Sequence, residues 1–568
     1  MGDRTVGANP GERVLVFTAT YNEHDNIPLF CEAVLALDPS YDLLVVDDNS
    51  PDGTGELLDD MKAREPRLAV VHRPRKMGLG SAHKLAMVHA VKNGYPVLVT
   101  MDADFSHDPA DIPRLVGELG NADFVIASRH MPGATLDYPF HRKFVSAVAN
   151  LLARRLLAIP LHEFTTSFRA FRSEVLTGLN FPKIRAQGYS FFLESIYRVH
   201  QHGFACREIP IDFRDRLHGS SKIPRFEIVR GVSKLLRLFV SRLLRHRRPR
   251  RPSPVIEGTC YACESPYLIE QFSERATPAG LLRDRAARPR IVHCLACGLG
   301  HAREVPGVGG VRSADLRGAD ETDGRIRRAR RRTYLRAYNG IAHHLPPGGR
   351  LLEVGSGYGA FLEVARERGW DVEGVESAAP AQRYSRDQLG VPVRAGPLDE
   401  AVARLGNGYD VVVLWDVLDH LQDPLAMLGS CAARLRDGGV LCLSALDAES
   451  WFPRLMGPNW PRILQGREYY FSPPVLELML HRAGFDLVEV RNFRRYVPLK
   501  LLPDRVAAAV PGGYGKALRL LEPLLPSGIS APISLGDSKI FVCRKQAAPA
   551  ESAAADAGTA AIHRAAGR

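Results

Sequence analysis

Two aspartates, Asp102 and Asp104, stand one residue apart just after the apolar run Val97-Leu-Val-Thr100, in the segment Asp102-Ala-Asp-Phe-Ser-His107. Carboxylates delivered together by a buried strand are poorly hydrated and repel each other unless a cation lies between them. A hard divalent ion, Mg2+ or Mn2+, with oxygen ligands and a share in a diphosphate relieves that repulsion. Taken alone, such a pair is more often a plain Asp-rich turn, because Asp suits turns. This pair is one of three acidic turns in order. Val14-Leu-Val-Phe17 ends in Thr18-Ala-Thr-Tyr-Asn-Glu23, and Leu43-Leu-Val-Val46 ends in Asp47-Asp-Asn-Ser-Pro-Asp-Gly-Thr54. Acidic turns closing successive parallel strands fall at the rim where open α/β sheets bind ligands.

Two other groups carry chemistry of their own. Cys260-Tyr-Ala-Cys263 and Cys294-Leu-Ala-Cys297 are paired Cys-x-x-Cys turns, an arrangement that suits tetrahedral Zn2+ in a closed structural site. An iron–sulfur cluster and four unrelated buried thiols are the weaker readings. Leu351-Leu-Glu-Val-Gly-Ser-Gly-Tyr-Gly359 is a strand running into a glycine-rich turn. Glu376 ends the next strand about 20 residues on, as a ribose-binding carboxylate should. Gly355, Gly357 and Gly359 do not have the Gly-x-Gly-x-x-Gly spacing usual in a nicotinamide dehydrogenase.

These residues need scaffolds to hold them. From Val14 to Val240 short apolar runs, among them Ala69-Val-Val71 and Phe124-Val-Ile126, alternate with helical stretches such as Pro28–Leu37 and Gly80–Val91. A second α/β pattern has strands at Arg350–Val354, Asp371–Val375, Val411–Leu414, Val440–Leu443, Asp486–Val490 and Lys539–Cys543. The chain of 568 residues is too long for one core. The expected organisation is an α/β domain over 1–245, a basic Pro-rich linker over 246–258 and a zinc-ribbon-like segment over 259–305, packed against the domain that follows. An Arg-rich stretch, Arg325–Arg336, opens a second α/β domain over 325–545, and the Ala-rich tail 546–568 has too little to bury to fold.

Apolar residues at 45% and charged residues at 24% describe an ordinary globular protein. Met1–Glu12 is polar, and no apolar stretch reaches the roughly 18 residues of a spanning helix. The expectation is a cytoplasmic chain whose nine cysteines stay reduced. A net charge of +12 points to an anionic partner. Part of that charge lies along Phe226–Leu244, where Phe226, Val229, Val232, Leu236, Phe239, Val240 and Leu243 share one helical side flanked by Arg230, Lys234, Arg237, Arg242 and Arg245. Such a helix either lies on an anionic leaflet or packs on the core with a solvated face. Nucleic acid is the weaker partner, since no stacking aromatics interleave with the charge.

The first constellation resembles the family-two glycosyltransferases of GT-A fold, and within them the dolichol- and polyprenol-phosphate mannose synthases. The likeness rests on Tyr21-Asn-Glu23, Val46–Thr54, Gly78-Leu-Gly-Ser-Ala82, Asp102–His107, Ala127-Ser-Arg129, Thr166-Ser-Phe-Arg169, Gly188–Glu194 and Arg216–Lys222. It implies a nucleotide sugar whose base and ribose meet Ala19, Tyr21, Glu23, Asp47 and Asp48, with Asp102 and Ala103 beside them. It places the divalent metal on Asp104 with Asp102 close by, and the diphosphate and acceptor phosphate against Arg129, Arg216 and Lys222. The implied donor is GDP-mannose, with UDP-glucose second, and the implied acceptor is a polyprenyl phosphate at the membrane surface. Ala19 stands where the family usually has Pro, and Ser167 where it usually has Gly. Neither change removes a charge, so they bear on base and sugar preference.

Glu353-Val-Gly-Ser-Gly-Tyr-Gly359 looks like motif I of the class I S-adenosylmethionine-dependent methyltransferases, which have a Rossmann-like fold. Val375-Glu376, Tyr409–Asp416, Val417–Pro424, Leu435–Gly439 and Ala483-Gly-Phe485 agree with it. The likeness implies that Glu353, Gly355, Gly357 and Gly359 shape the S-adenosylmethionine site and that Glu376 holds the ribose hydroxyls. His420 follows Asp419 where the family often has Glu-His. It either removes a proton from a sugar hydroxyl or from a carbon beside a carbonyl, or merely supports its loop. The aromatic stretch Trp451–Tyr470 either covers the acceptor or is loop packing. The whole reads as a bifunctional glycan-assembly enzyme, with a non-catalytic S-adenosylmethionine-binding module as the alternative for its second half.

Overall fold

The computed structural model describes residues 12–136, 140–179, 190–213, 225–243, 255–272, 290–303, 324–457, 460–464, 467–501 and 528–546, with isolated positions between. Arg216, Lys222, most of the basic linker and the tail beyond Gln546 lie outside the described residues. The chain forms two compact units. One runs to Phe272 and takes in Val292–Gly298, and the other comprises Ser273–Ile291 and everything from Leu299.

The first unit contains β1 Val14–Thr20, α1 Ile27–Leu35, β2 Tyr41–Asp47, α2 Thr54–Lys62, β3 Leu68–His72, α3 Leu79–Lys92, β4 Val97–Thr100, α4 Ile112–Glu118 and β5 Phe124–Ser128. It continues with β6 Thr135–Leu136, α5 Phe140–Leu157, β7 Arg169–Arg172, α6 Ser173–Gly178, α7 Ser190–Gln201, β8 Cys206–Pro210, β9 Asp212–Phe213 and α8 Arg225–Leu243. β10 Val255–Ile256 and β11 Leu268–Phe272 pair antiparallel around the first cysteine turn, and β12 Arg290–Cys294 leads into the second.

Among the described residues, seven strands form one sheet in the order β3-β2-β1-β4-β7-β5-β8. β1 is parallel to both neighbours, with Val16 opposite Leu43 and Val99. Its strands read as unbroken apolar runs because both faces are covered. Val16 packs with Ile27 and Phe30 of α1, while Phe17 points the other way and meets His83 of α3 edge-on. The strand order reverses between β1 and β4, which opens a crevice at their carboxyl ends. β7 departs from the parallel pattern, running antiparallel to β4 and β5. Two arginines in its four residues hide it in the sequence, yet Arg169 is 1% exposed.

The second unit contains β13 Gly300–Arg303, α9 Gly324–Ile341, β14 Gly349–Val354, α10 Ala360–Arg366, β15 Trp370–Glu376, α11 Ala379–Leu389 and β16 Val393–Ala395. Next come α12 Leu398–Ala403, β17 Tyr409–Leu414, α13 Pro424–Arg434, β18 Leu435–Leu446, α14 Trp451–Met456 and β19 Tyr469–Tyr470. It closes with α15 Pro473–Arg482, β20 Phe485–Asn492, β21 Arg495–Pro498, β22 Ser530–Ile533 and β23 Ser538–Lys545. The main sheet has the order β16-β15-β14-β17-β18-β23-β20. The pairs from β16 to β18 are parallel, and β23 is antiparallel to both β18 and β20. The reversal between β14 and β17 again sets a crevice beside the first strand of the unit's sheet. No helix among the described residues is long and apolar enough to cross a membrane.

Candidate functional site

The three acidic turns leave the first sheet at the carboxyl ends of β1, β2 and β4, which lie side by side. Ala19, Tyr21, Glu23, Asp47, Asp48, Asp102, Ala103 and Asp104 therefore share one rim. Each turn contains one non-glycine residue in the left-handed region: Asn22 at φ 61°, Asn49 at 57° and Phe105 at 57°. A bulky Phe in that conformation is costly, and such strain gathers at binding sites.

Asp47 fixes the rim. Its Oδ1 accepts from Thr20 Oγ1 at 2.9 Å and Ser50 Oγ at 2.6 Å, and its Oδ2 accepts the Ser50 amide at 3.0 Å. Asp48 makes a buried ion pair with Arg73, whose Nη1 also donates to Ser81 Oγ at 2.6 Å. Burial pushes the Asp48 carboxyl up, and the guanidinium opposes that push. Glu23 accepts from Asn26 Nδ2 at 2.7 Å, while its amide donates to Thr54 Oγ1 at 3.2 Å. Tyr21 is 37% exposed, with the Lys76 ammonium 4.0 Å from its ring centroid.

Asp104 is 5% exposed and accepts the Ser106 amide through Oδ1 at 3.1 Å. Near it, His107 Nε2 lies 3.2 Å from Thr166 Oγ1, and burial pushes its imidazole down to about 4. His107 is thus neutral at neutral pH. Arg129 donates from Nε to Glu163 Oε2 at 2.9 Å and from Nη2 to Thr165 Oγ1 at 3.0 Å, its guanidinium lying over Phe213. Burial raises the Glu163 carboxyl, but Arg129 and His130 outweigh it and hold the group below its ordinary value. Arg169 is a structural tie, donating to the carbonyls of Thr166, Phe164 and Phe192 and to Ser195 Oγ.

The four cysteines of the proposed zinc segment come together within the first unit. Sγ of Cys260 is 3.6 Å from that of Cys297, and Sγ of Cys263 is 3.7 Å from that of Cys294. A tetrahedral Zn2+ with Zn–S near 2.3 Å requires sulfurs about 3.8 Å apart, so the donor set fits that ion. Within this unit the first cysteine turn meets α3, while the last strand of the expected segment, β13, pairs antiparallel with β19 in the second unit. Tyr267 Oη is 2.8 Å from His89 Nδ1, and Lys92 Nζ donates to the Pro266 carbonyl at 2.6 Å.

In the second unit Gly355, Gly357 and Gly359 have φ of 74°, 54° and 74°. A Cβ on Gly355 would stand 2.5 Å from Val417 Cγ2, so both conformation and space demand glycine. Glu376 ties this turn to the end of β15, accepting the Gly357 amide at 2.7 Å and the Ala378 amide at 2.8 Å. Glu353 lies buried just before the turn. The cleft beside the glycines is walled by Arg327, Arg330 and Tyr334 of α9 and by Tyr384 of α11. His420 ends a short turn after β17, partly exposed, with its amide donating to the Val417 carbonyl at 3.0 Å. Asp419 beside it forms a buried ion pair with Arg467, and burial lowers that guanidinium to about 10. Of the aromatic stretch, Trp460 and Tyr470 are buried and hydrogen-bonded inward, whereas Trp451 is 60% exposed.

Sequence reasoning passed over Arg73, Glu163 and the α9 arginines. Arg73 opens the basic run Arg73-Pro-Arg-Lys76, which reads as surface charge, and Glu163 has no motif around it. The Arg325–Arg336 stretch was visible only as a lead-in, although two of its arginines face the glycine turn.

Residues 15–179 match the family described as glycosyl transferase family 2, and residues 326–490 match the family described as methyltransferase domain. The chain is 38% identical over 237 residues to polyprenol monophosphomannose synthase of Mycolicibacterium smegmatis, covering 41% of this chain and 89% of that one. It is 39% identical over 212 residues to undecaprenyl-phosphate mannosyltransferase of Micrococcus luteus, covering 37% and 87%. A solved SAM-dependent methyltransferase from Thermotoga maritima, titled a possible histamine N-methyltransferase, aligns at 19% identity over 39% of this chain and 91% of its own, with a TM-score of 0.26.

Proposed function

We propose, for a chain that belongs to glycosyl transferase family 2 and carries a methyltransferase domain behind it, that the first half moves a sugar from a nucleotide sugar to a polyprenyl phosphate. The observation that carries the reading is the shared rim of Glu23, Asp47, Asp48, Asp102 and Asp104, in a chain whose relatives are named mannosyltransferases of such lipids. Mannose from GDP-mannose is the favoured donor. A phosphate oxygen of the lipid, already anionic at neutral pH, attacks the anomeric carbon, the nucleoside diphosphate departs, and the carbon inverts. That attack requires positioning rather than a strong base. A divalent cation held by Asp104, with Asp102 close by, would offset charge on the departing diphosphate. Arg129, with Arg216 and Lys222, is assigned to the phosphates, and Glu163 keeps the Arg129 side chain in place.

Support for a lipid acceptor comes from two helices that pack together. Val148, Leu151 and Leu152 of α5 and Val232, Leu236, Val240 and Leu243 of α8 are all exposed, at 38% to 67%. Arg242 Nη1 donates to the Leu156 carbonyl, joining the two helices. An exposed apolar platform with Arg154, Arg155 and Arg237 on the same helices suits an anionic membrane surface.

In the second half, Gly355, Gly357, Gly359 and Glu376 are assigned to S-adenosylmethionine, and His420 to the acceptor. Bound S-adenosylmethionine would supply an electrophilic methyl group, and His420 would take the proton from the acceptor oxygen or carbon of a sugar or glycan intermediate. The four cysteines are assigned to a structural Zn2+.

Incubation with GDP-mannose, UDP-glucose, polyprenyl phosphate and S-adenosylmethionine, with mass spectrometry of the lipid fraction, tests both halves. A hexosylated lipid phosphate is expected with GDP-mannose. Failure of every nucleotide sugar to label the lipid would sink the first assignment.

A further inference from the structure

Helix α3 has a functional feature at each end. At its start, Ser81 Oγ accepts from Arg73, the guanidinium paired with Asp48, and also donates back to the Gly78 carbonyl at 2.7 Å. Gly78, at φ 89°, begins the helix. The 14 residues from Leu79 to Lys92 then span about 20 Å. Along the way the helix is locked to the core: His83, Leu85, Ala86, Met87, Val88 and Ala90 are buried. At its far end stand His89 and Lys92, which meet the cysteine segment.

That meeting is specific rather than incidental. Tyr267 Oη is 2.8 Å from His89 Nδ1, with the two rings 5.7 Å apart. Lys92 Nζ donates to the carbonyl of Pro266, the neighbouring residue. The short stretch that carries Tyr267 is held by both cysteine turns. The Tyr267 carbonyl accepts the Leu295 amide at 2.8 Å, inside the second turn, and Cys260 donates its amide to the Ser265 carbonyl at 2.9 Å, inside the first. The peptide that touches α3 is thus hydrogen-bonded to the loops that carry all four thiolates. With the sulfurs about one tetrahedral edge apart, an ion there would hold both loops, and with them Pro266 and Tyr267, in one arrangement.

We propose that the four-cysteine metal site is a brace of the glycosyltransferase domain, which docks through Tyr267 and Pro266 on the C-terminal end of α3 and steadies the helix that supports the Asp48–Arg73 pair at the nucleotide rim. The proposal rests on the metal reading of the four cysteines. It gives the cysteine turns a role in the domain before them, beside the pairing of β13 with β19 in the second unit.

The test uses the full chain. Metal content is measured by mass spectrometry, and amide hydrogen exchange is followed in peptides covering 79–92, in the protein as purified, after chelation, and in Tyr267→Phe. That variant keeps the ring and every thiolate but removes the hydroxyl that meets His89. The expected results are one zinc per chain and severalfold faster exchange over 86–92 after chelation. Tyr267→Phe should show the same direction of change with its zinc retained. GDP-mannose should bind the chelated protein severalfold more weakly. Unchanged exchange over 86–92 in Tyr267→Phe would overturn the brace even if chelation unfolds the chain. Absence of any bound metal would instead overturn the metal reading beneath it, whatever the helix does.

Discussion

Asp47 and Asp104 are both buried carboxylates of the first sheet's rim, one ending β2 and the other on the turn that follows β4. Asp47 has both oxygens committed to Thr20 and Ser50, so it shapes the turn. Asp104 accepts the Ser106 amide in a loop strained at Phe105. Asp104→Ala should therefore leave the fold intact, as read by circular dichroism, and reduce metal-dependent transfer to lipid about a hundredfold or more. Retained transfer would show that the metal is held elsewhere. In the second half, Gly355→Ala meets Val417 Cγ2 and forces a side chain into φ 74°. The strain is about 1–3 kcal/mol, enough to lower S-adenosylmethionine affinity about tenfold or more by calorimetry. At this scale most of the candidate residues were legible in the sequence, because carboxylates, glycines and cysteines announce chemistry by type and spacing. Arg73 and Glu163 were not legible, because a buried charge is recognised only by its partner, and those partners lie 25 and 34 residues away.

At the scale of elements, α3 carries one buried imidazole, His83, and one half-buried, His89. Burial pushes His83 down to about 3 and His89 down to about 4. The folded domain keeps both neutral, whereas in the unfolded chain they protonate near pH 6.5. Lowering the pH below 6.5 therefore favours the unfolded state, and stability should fall progressively from pH 6.5 towards 4. Thermal unfolding of the first domain across that range checks it, and a flat profile would contradict the burial of these rings. Helices α5 and α8 invite a different test. Leu152→Glu and Leu236→Glu alter exposed positions, so melting temperatures should stay within a few degrees. Sedimentation with anionic vesicles should drop severalfold for each, and unchanged sedimentation would leave the platform without its lipid. The strands were readable in sequence because apolar runs covered on both faces carry no competing signal. β7 was not, since Arg169 is buried by hydrogen bonds to the carbonyls of Phe164, Thr166 and Phe192, which only the folded chain brings to it.

At the scale of the whole molecule, each half has its own sheet and its own crevice at a reversal of strand order. The two activities should accordingly separate. Asp104→Ala should bind S-adenosylmethionine with unchanged affinity, and Glu376→Ala should still transfer sugar to lipid while losing cofactor affinity. The sequence by itself determined that there are two α/β halves with a four-cysteine segment between them, and what chemistry each advertises. Those are local properties, set by residue type, spacing and periodicity. Tertiary structure decided which charges are buried and paired, that two helices far apart in sequence pack together with exposed apolar residues on each, and that the cysteine segment meets α3. It also refined the acidic pair after β4 that first suggested a metal. Its two neighbouring turns are near in space because β1, β2 and β4 are adjacent and parallel, and adjacency in a sheet is fixed by pairing between segments tens of residues apart.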